Sequence, residues 1–242
     1  MISLDRILVI VPAWNEEPNI APTISEIRRA LPHTEILVVD DGSNDATATV
    51  ARDAGADVLA LPFNMGVGGA MRAGYVYALR HNFLAAIQVD ADGQHNPLDV
   101  PKIIAKLDEA DIVIGARFAA EGDYKARGPR WWAMQFLASV ISRVANEPLT
   151  DVTSGFRAAN QKAIAQYTRY YPAEYLGDTI DSLVAAIHSN LKVTQVPVAM
   201  RARVHGTPSQ GFIGSAIYLF RSIMALGLAV IRRPRRRNQE SA

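Results

Sequence analysis

Apolar runs of strand length alternate with helical patterns through the first half of this 242-residue chain, and that alternation restricts the fold more than any other feature. The runs Arg6–Val11, Glu35–Asp40, Asp57–Leu61, Ala85–Asp90 and Asp111–Gly115 predict strands. Between them Asn19–Ala30, Asp45–Ala54, Gly69–Arg80 and Leu98–Glu109 predict helices. Such a succession predicts an α/β fold: a mostly parallel sheet with helices on both faces. In sheets of this kind ligands collect beyond the carboxyl ends of the strands. Two acidic pairs, Asp40–Asp41 and Asp90 with Asp92, fall at such ends.

The second half is less regular. Gly122–Arg130 reads as a polar, basic loop and Trp131–Ala145 as a helix. Ser154–Asn160 predicts a strand, Asp178–His188 a helix, Val193–Met200 a strand and Val204–Gly211 a loop. No internal repeat or low-complexity linker divides the chain, so residues 1–211 are expected to form one domain. The first residues, Met1 to Val11, lack the basic start and long apolar stretch of a signal peptide and read as the first strand. The absence of cysteine excludes disulfides and thiolate metal sites.

The segment 212–231, Phe212–Ile231, is apolar apart from Arg221 and small polar residues, and is long enough to cross a bilayer. Ser215, Tyr218, Arg221, Ser222 and Ala225 recur at helical spacing and form a less apolar stripe. An arginine in the middle of a lone span costs about 2.5–3.5 kcal/mol. The expectation is therefore an amphipathic helix in the membrane interface, with a spanning helix or a core helix as alternatives. Residues 232–242 carry Arg232, Arg233, Arg235, Arg236 and Arg237 against Glu240 and are expected to form a basic, disordered tail. The whole chain carries only +1, so the remainder is mildly acidic. A basic tail beside an apolar helix suits an anionic membrane surface; no nucleic acid is expected, and a solvated end is the plain alternative.

Three motifs carry chemistry. Asp90-Ala91-Asp92-Gly93-Gln94-His95-Asn96-Pro97 follows an apolar strand and sets two carboxylates near one site. A divalent cation such as Mg2+ or Mn2+ takes oxygen ligands and shares them with a diphosphate. The same carboxylates can instead cap the following helix or form an Asx turn, and His95 beside a turn is more often a hydrogen-bonding residue than a ligand. Asp40-Asp41-Gly42-Ser43 offers carboxylates to a base N–H or a ribose hydroxyl, or serves as turn and cap chemistry. Pro12-Ala13-Trp14-Asn15-Glu16-Glu17 stands where a dinucleotide-binding fold places its glycine-rich turn, and no such turn is there. The glycine-rich run Asn64-Met65-Gly66-Val67-Gly68-Gly69-Ala70 follows the third strand instead.

In their order and spacing these motifs, with Gly115-x-Arg117 and Thr153-Ser154-Gly155-Phe156-Arg157, resemble the family 2 glycosyltransferases of GT-A fold. The resemblance runs from about Ile7 to Met200 and is greatest to the dolichyl- and polyprenyl-phosphate mannosyl- or glucosyltransferases. It implies a GT-A-like catalytic domain over 1–211, and an inverting, metal-dependent hexosyl transfer from a nucleotide sugar to a polyprenyl phosphate. It implies that Pro12, Trp14 and Glu16 line the nucleoside pocket, with Val39 and Asp41 reading the base. Asp90, Ala91 and Asp92 would hold ribose, diphosphate and metal, and Gln94 would complete the metal site. Arg117, Arg130, Ser154, Arg157, Arg201 and Arg203 would hold diphosphate or acceptor phosphate, as suits the planar fork of a guanidinium. Asp92, Arg117 and Asp151 are the candidate catalytic residues, Asp151 being a base, a brace for Arg157 or a turn cap. The partners so implied are a GDP- or UDP-hexose, the polyprenyl phosphate, an anionic membrane surface on the cytoplasmic side and a small membrane protein. Transfer to a hydroxyl of a glycolipid or cell-envelope polysaccharide is the alternative reaction. A non-catalytic nucleotide-sugar-binding or membrane-scaffold protein is the alternative of another class. Gly122–Arg130 matches no family pattern, and the chain has at most one of the two C-terminal membrane helices of several polyprenyl-phosphate glucosyltransferases.

Overall fold

The computed structural model describes residues 6–117, 129–172 and 177–201. Seven strands form one sheet: β1 Ile7–Ala13, β2 Glu35–Asp40, β3 Asp57–Ala60, β4 Ala85–Gln88, β5 Ile112–Ala116, β6 Arg157–Asn160 and β7 Val193–Pro197. Their order across the sheet is β3-β2-β1-β4-β6-β5-β7. The chain adds β2 and β3 on one side of β1 and then crosses to add β4 on the other, so β1 and β4 flank the point where the order reverses. That switch point is where an open α/β sheet leaves a crevice for a ligand.

Period-two alternation in β1 builds both cores. Leu8 and Ile10 face one side, and Ile7, Val9 and Val11 the other, all at most 1% exposed. A strand buried on both faces reads as a continuous apolar run, as β1 does. Helices α1 (Glu17–Ala30), α2 (Thr47–Asp53) and α4 (Val100–Ala105) cover the Val9 face. Helices α3 (Val67–Arg80), α5 (Pro129–Ala145), α6 (Gln161–Arg169) and α7 (Ser182–His188) cover the Ile10 face. The expected sheet with helices on both faces is therefore present.

Three local features differ from the sequence expectations. The helix expected over Leu98–Glu109 is broken into a 3-10 turn at Pro97–Asp99, the short α4 and a second 3-10 turn at Lys106–Asp108. Asn96 caps its start by accepting the Leu98 N–H, and Pro101 lies in the first turn of α4, where no N–H is needed. Pro129 and Arg130 open α5 rather than closing a loop. Helix α6, which the sequence reading did not contain, follows β6 directly and is capped by Asn160 Oδ1 accepting the Ala163 N–H at 3.1 Å.

The larger difference is the direction of β6. It runs antiparallel between β4 and β5, with Ala85 opposite Asn160 and Ile114 opposite Arg157. Its amino end therefore lies at the sheet edge where the parallel strands have their carboxyl ends. The expected loop over Val204–Gly211, the apolar segment Phe212–Ile231 and the tail 232–242 lie outside the described residues. Among the described residues no helix is long and apolar enough to cross a membrane.

Candidate active site

Reading along the carboxyl edge, the elements offer their residues in the order β2, β1, β4, β6, β5, β7. Asp41 follows β2, Trp14 and Glu16 follow β1, and Asp90 to Gln94 follow β4. The loop 151–156 leads into β6, Arg117 follows β5 and Arg201 lies beyond β7. Residues expected on a donor thus occupy one half of the edge, and most of those expected on an acceptor occupy the other.

The turns after β1 and β2 are stitched together by side chains. The Asn15 N–H donates to Ser43 Oγ at 2.9 Å, Asn44 N–H to Asn15 Oδ1 at 2.9 Å, and Glu16 N–H to Thr47 Oγ1 at 2.9 Å. This leaves Trp14 51% exposed above the edge. Glu16 Oε2 accepts from Asn19 Nδ2 at 2.6 Å. Pro12 pairs with Val39 across β1 and β2. Val39 is fully buried in the core, so a base-reading role there would fall to its backbone. Asp41 is buried and its Oδ1 accepts the Met65 N–H at 2.7 Å. Burial pushes its carboxyl above the ordinary value of 3.8; the N–H groups of Met65 and Gly66 offset part of this, and the neighbouring Asp40 adds to it.

Beyond β4 the backbone turns through Ala91, whose carbonyl accepts from Thr23 Oγ1 on α1 at 2.9 Å. Asp92 is buried and its Oδ1 accepts the Gln94 N–H at 3.0 Å. Asp90 Oδ1 accepts from Gln88 Nε2 at 2.7 Å, and its Oδ2 lies 3.5 Å from His95 Nε2. His95 is thus a hydrogen-bonding residue, buried and stacked on Phe156. No group of three or more His, Cys, Asp or Glu among the described residues is arranged to hold a metal by itself. The donor set still fits a hard cation that takes one or two carboxylates and fills its shell from phosphates and water. Asp90 and Asp92 are such carboxylates, and Gln94 stands between them and Arg201 with its Nε2 3.5 Å from the Arg201 carbonyl.

On the acceptor half, Arg117 and Asp151 form a bidentate ion pair. Arg117 Nε donates to Asp151 Oδ2 at 2.6 Å and Nη2 to Oδ1 at 2.9 Å; Nη2 also reaches Thr153 Oγ1 at 2.8 Å. The Arg117 backbone N–H adds a third bond to the carboxylate, at 3.1 Å. The Asp151 side chain is fully buried, whereas that of Arg117 is 22% exposed. Burial alone would raise the Asp151 carboxyl, but the guanidinium and the Thr153 hydroxyl outweigh it and hold it below the ordinary 3.8. Asp151 therefore braces Arg117, not Arg157 as the sequence suggested.

Arg157 requires a correction. It is 3% exposed, and its guanidinium donates to the carbonyls of Ser154 at 2.7 Å, Thr179 at 2.6 Å and Val152 at 2.5 Å. The side chain staples the loop 152–154 to the π-helical turn Gly177–Asp181 before α7, so its guanidinium is committed to backbone carbonyls rather than presented as a phosphate clamp. Ser154 is buried too, with its Oγ accepting the Phe156 N–H at 3.3 Å. Arg201 lies beyond β7 but reaches α1 and the turn after β4: it pairs with Glu26 on α1, and its Nη2 donates to Asn96 Oδ1 at 2.8 Å. Arg130 lies in the first turn of α5 with its side chain outside the described set, and Arg203 is outside it altogether. Gln88, buried beside Asp90, belongs to no motif, and its one trace in the sequence is a polar residue at the end of an otherwise apolar strand.

Comparison with known proteins gives a consistent picture. The family described as glycosyl transferase family 2 matches residues 8–168. An undecaprenyl-phosphate mannosyltransferase of Micrococcus luteus is 28% identical over 221 residues, covering 88% of this chain and 91% of the relative. A polyprenol monophosphomannose synthase of Mycolicibacterium smegmatis is 30% identical, covering 83% of this chain and 79% of the relative. Among solved structures, glucosyl-3-phosphoglycerate synthase from Mycobacterium tuberculosis, in complex with Mn2+, UDP and glucosyl-3-phosphoglycerate, superposes with a TM-score of 0.68. It shares 24% identity over 92% of this chain and 78% of that one, a likeness of fold, and the fold is GT-A-like.

Proposed function

This chain belongs to glycosyl transferase family 2 and is a glycosyltransferase, and from that premise we propose that it moves a hexose, with inversion, from a nucleotide sugar to a polyprenyl phosphate at a membrane surface. The observation that carries the choice of acceptor is the Arg117–Asp151 pair. Asp151 is the carboxylate nearest the acceptor-side motif in sequence, and both its oxygens are bonded to a guanidinium. A carboxylate so engaged, with its proton affinity lowered, is a poor general base. A hydroxyl acceptor needs such a base. A phosphate monoester has its second pKa near about 6 and arrives already ionised at neutral pH. It needs cationic positioning, which Arg117 supplies. Relatives named for undecaprenyl-phosphate and polyprenol-monophosphate chemistry support the same acceptor class.

In this reading Trp14, Glu16 and Asp41 bind the nucleoside, and Asp90, Asp92 and Gln94 are the residues that would hold a divalent cation beside the diphosphate. A bound Mg2+ or Mn2+ would neutralise charge on the departing nucleoside diphosphate. Arg117 orients the acceptor phosphate, with Asp151 fixing the plane of its guanidinium. A phosphate oxygen attacks the anomeric carbon from the face opposite the leaving group. The new C–O bond forms as the bond to the diphosphate breaks, and the electron pair leaves with the nucleoside diphosphate. No proton need move. Residues 1–211 form the catalytic unit, 212–231 lie in the membrane interface, and 232–242 rest on anionic headgroups.

The test uses the full chain with a panel of GDP- and UDP-sugars, with and without polyprenyl phosphate, following release of the nucleoside diphosphate. Turnover is expected only with the lipid phosphate, and is expected to be abolished by chelator and restored by Mg2+ or Mn2+. Asp92→Asn should fold and lose most activity. Turnover confined to glycolipid or polysaccharide hydroxyls would replace the acceptor. Full activity in excess chelator would remove the metal.

A further inference from the structure

Gln88 has no part in the reaction as described, yet it is a primary amide, 3% exposed, in a strand whose other residues are Ala85, Ala86 and Ile87. A buried amide costs stability unless its polar atoms are paired. Its Nε2 donates to Asp90 Oδ1 at 2.7 Å. The second oxygen of that carboxylate faces His95 Nε2 at 3.5 Å. His95 is held in turn: its Nδ1 accepts the Asp90 backbone N–H at 3.0 Å. That bond needs the lone pair on Nδ1, so a neutral ring carries its proton on Nε2, on the side of the carboxylate. The imidazole lies on Phe156 with ring centres 4.6 Å apart and planes 12° from parallel. Phe156 is fully buried.

The support extends to Gly155. A Cβ there would stand 2.8 Å from Gln88 Nε2 and 3.6 Å from Asp90 Oδ2. The backbone of the loop entering β6 thus closes over the amide that holds the carboxylate, and a Cβ at 155 would require that amide to shift.

We infer that Gln88 is a positioning residue for Asp90, setting the direction of its carboxylate before a metal–nucleotide arrives, and that Gly155 and Phe156 of the acceptor-side loop are part of the same support. The inference rests on the reading of Asp90 as a metal–diphosphate ligand. It assigns to Gln88 what a carboxylate or carbonyl does behind a metal-bound histidine: the outer partner orients the ligand.

The experiment is calorimetric titration of the full chain with Mn2+ in the presence of GDP or of UDP, with thermal unfolding of each variant alongside. Gln88→Met keeps the volume and removes the donor. It should weaken Mn2+–nucleotide binding about 10- to 100-fold while the melting temperature moves little. Gln88→Glu, which sets a second carboxylate against Asp90, should weaken it at least as much. Gly155→Ala should give a similar loss by pushing the amide aside. In a Gln88→Ala background, which leaves room for the added methyl, Gly155→Ala should add less than about twofold, the mark of a shared pathway. Wild-type affinity in Gln88→Met, or full additivity in the double variant, would overturn the inference. Should Gln88→Met fail to fold, Gly155→Ala decides, because it lies on a different element. Asp90→Asn is the reference. If it binds Mn2+–nucleotide as tightly as the unchanged protein, the metal reading of Asp90 fails and the inference with it. If it weakens binding while Gln88→Met does not, only the inference fails.

Discussion

Asp151 joins stability to chemistry through one ion pair. Its carboxylate is buried and both oxygens face Arg117, so Asp151→Asn leaves a guanidinium without its matching charge. Arg117 retains some solvent, which tempers the loss, and we expect about 2–3 kcal/mol of destabilisation in urea unfolding at neutral pH. The sign with pH follows from the lowered carboxyl. The pair's contribution is fully present above the ordinary 3.8 and is lost as pH falls through the lower folded value. The stability difference between Asp151→Asn and the unchanged protein should therefore shrink only at the acidic end of a pH series. Kinetics separate brace from base. A brace predicts a higher KM for polyprenyl phosphate with kcat reduced less than about tenfold, whereas loss of a general base removes about 100-fold or more from kcat. A loss of that second kind, with nucleotide binding intact, would count against the phosphate acceptor.

Helix α3 packs on β1 through Gly74. A Cβ at this position would meet Ile10 Cγ2 at 2.6 Å and Cδ1 at 2.9 Å, and Ile10 is fully buried in the central strand. Gly→Ala inside a helix normally gains about 1 kcal/mol. Overpacking a rigid core costs about 1–3 kcal/mol and falls here on a strand flanked on both sides. The cost wins, and Gly74→Ala should lower the melting temperature by about 2–6 °C. A rise in melting temperature would mean that α3 can lift off the sheet. The same element scale shows why α6 escaped the sequence reading. Its cap, Asn160, is also the last residue of β6, so strand and helix share a boundary without a turn signal between them.

At the scale of the whole molecule, charge is distributed unevenly: a mildly acidic body precedes the arginines between 232 and 237. Each arginine near an anionic surface contributes on the order of 1 kcal/mol, screened by salt. Deleting residues 232–242 should weaken binding to anionic vesicles and flatten its salt dependence, as co-flotation over a salt series would show. If the intact chain floats free of such vesicles at low salt, the interfacial role of 212–242 is wrong. Resistance to extraction by carbonate and high salt would favour a spanning helix over an interfacial one.

The sequence by itself determined the alternation of strands and helices, because burial on one or two faces leaves a periodic trace in a single segment. It determined also that Asp41, Asp90 and Asp92 stand at strand ends, since a run of apolar residues stops where the sheet does. Beta4 itself ends at Gln88, two residues earlier than the apolar run suggested. Only the tertiary structure decided the direction of β6, and with it the arrival of residues 151–156 at the same edge as the parallel strands' ends. It alone matched Arg117 to Asp151 across 34 residues, turned Arg157 inward onto three carbonyls, and set Gly155 against Gln88. Local periodicity reports which face of an element is buried; which partner a charged or polar side chain meets depends on strand order and direction, set by contacts between segments far apart in the chain.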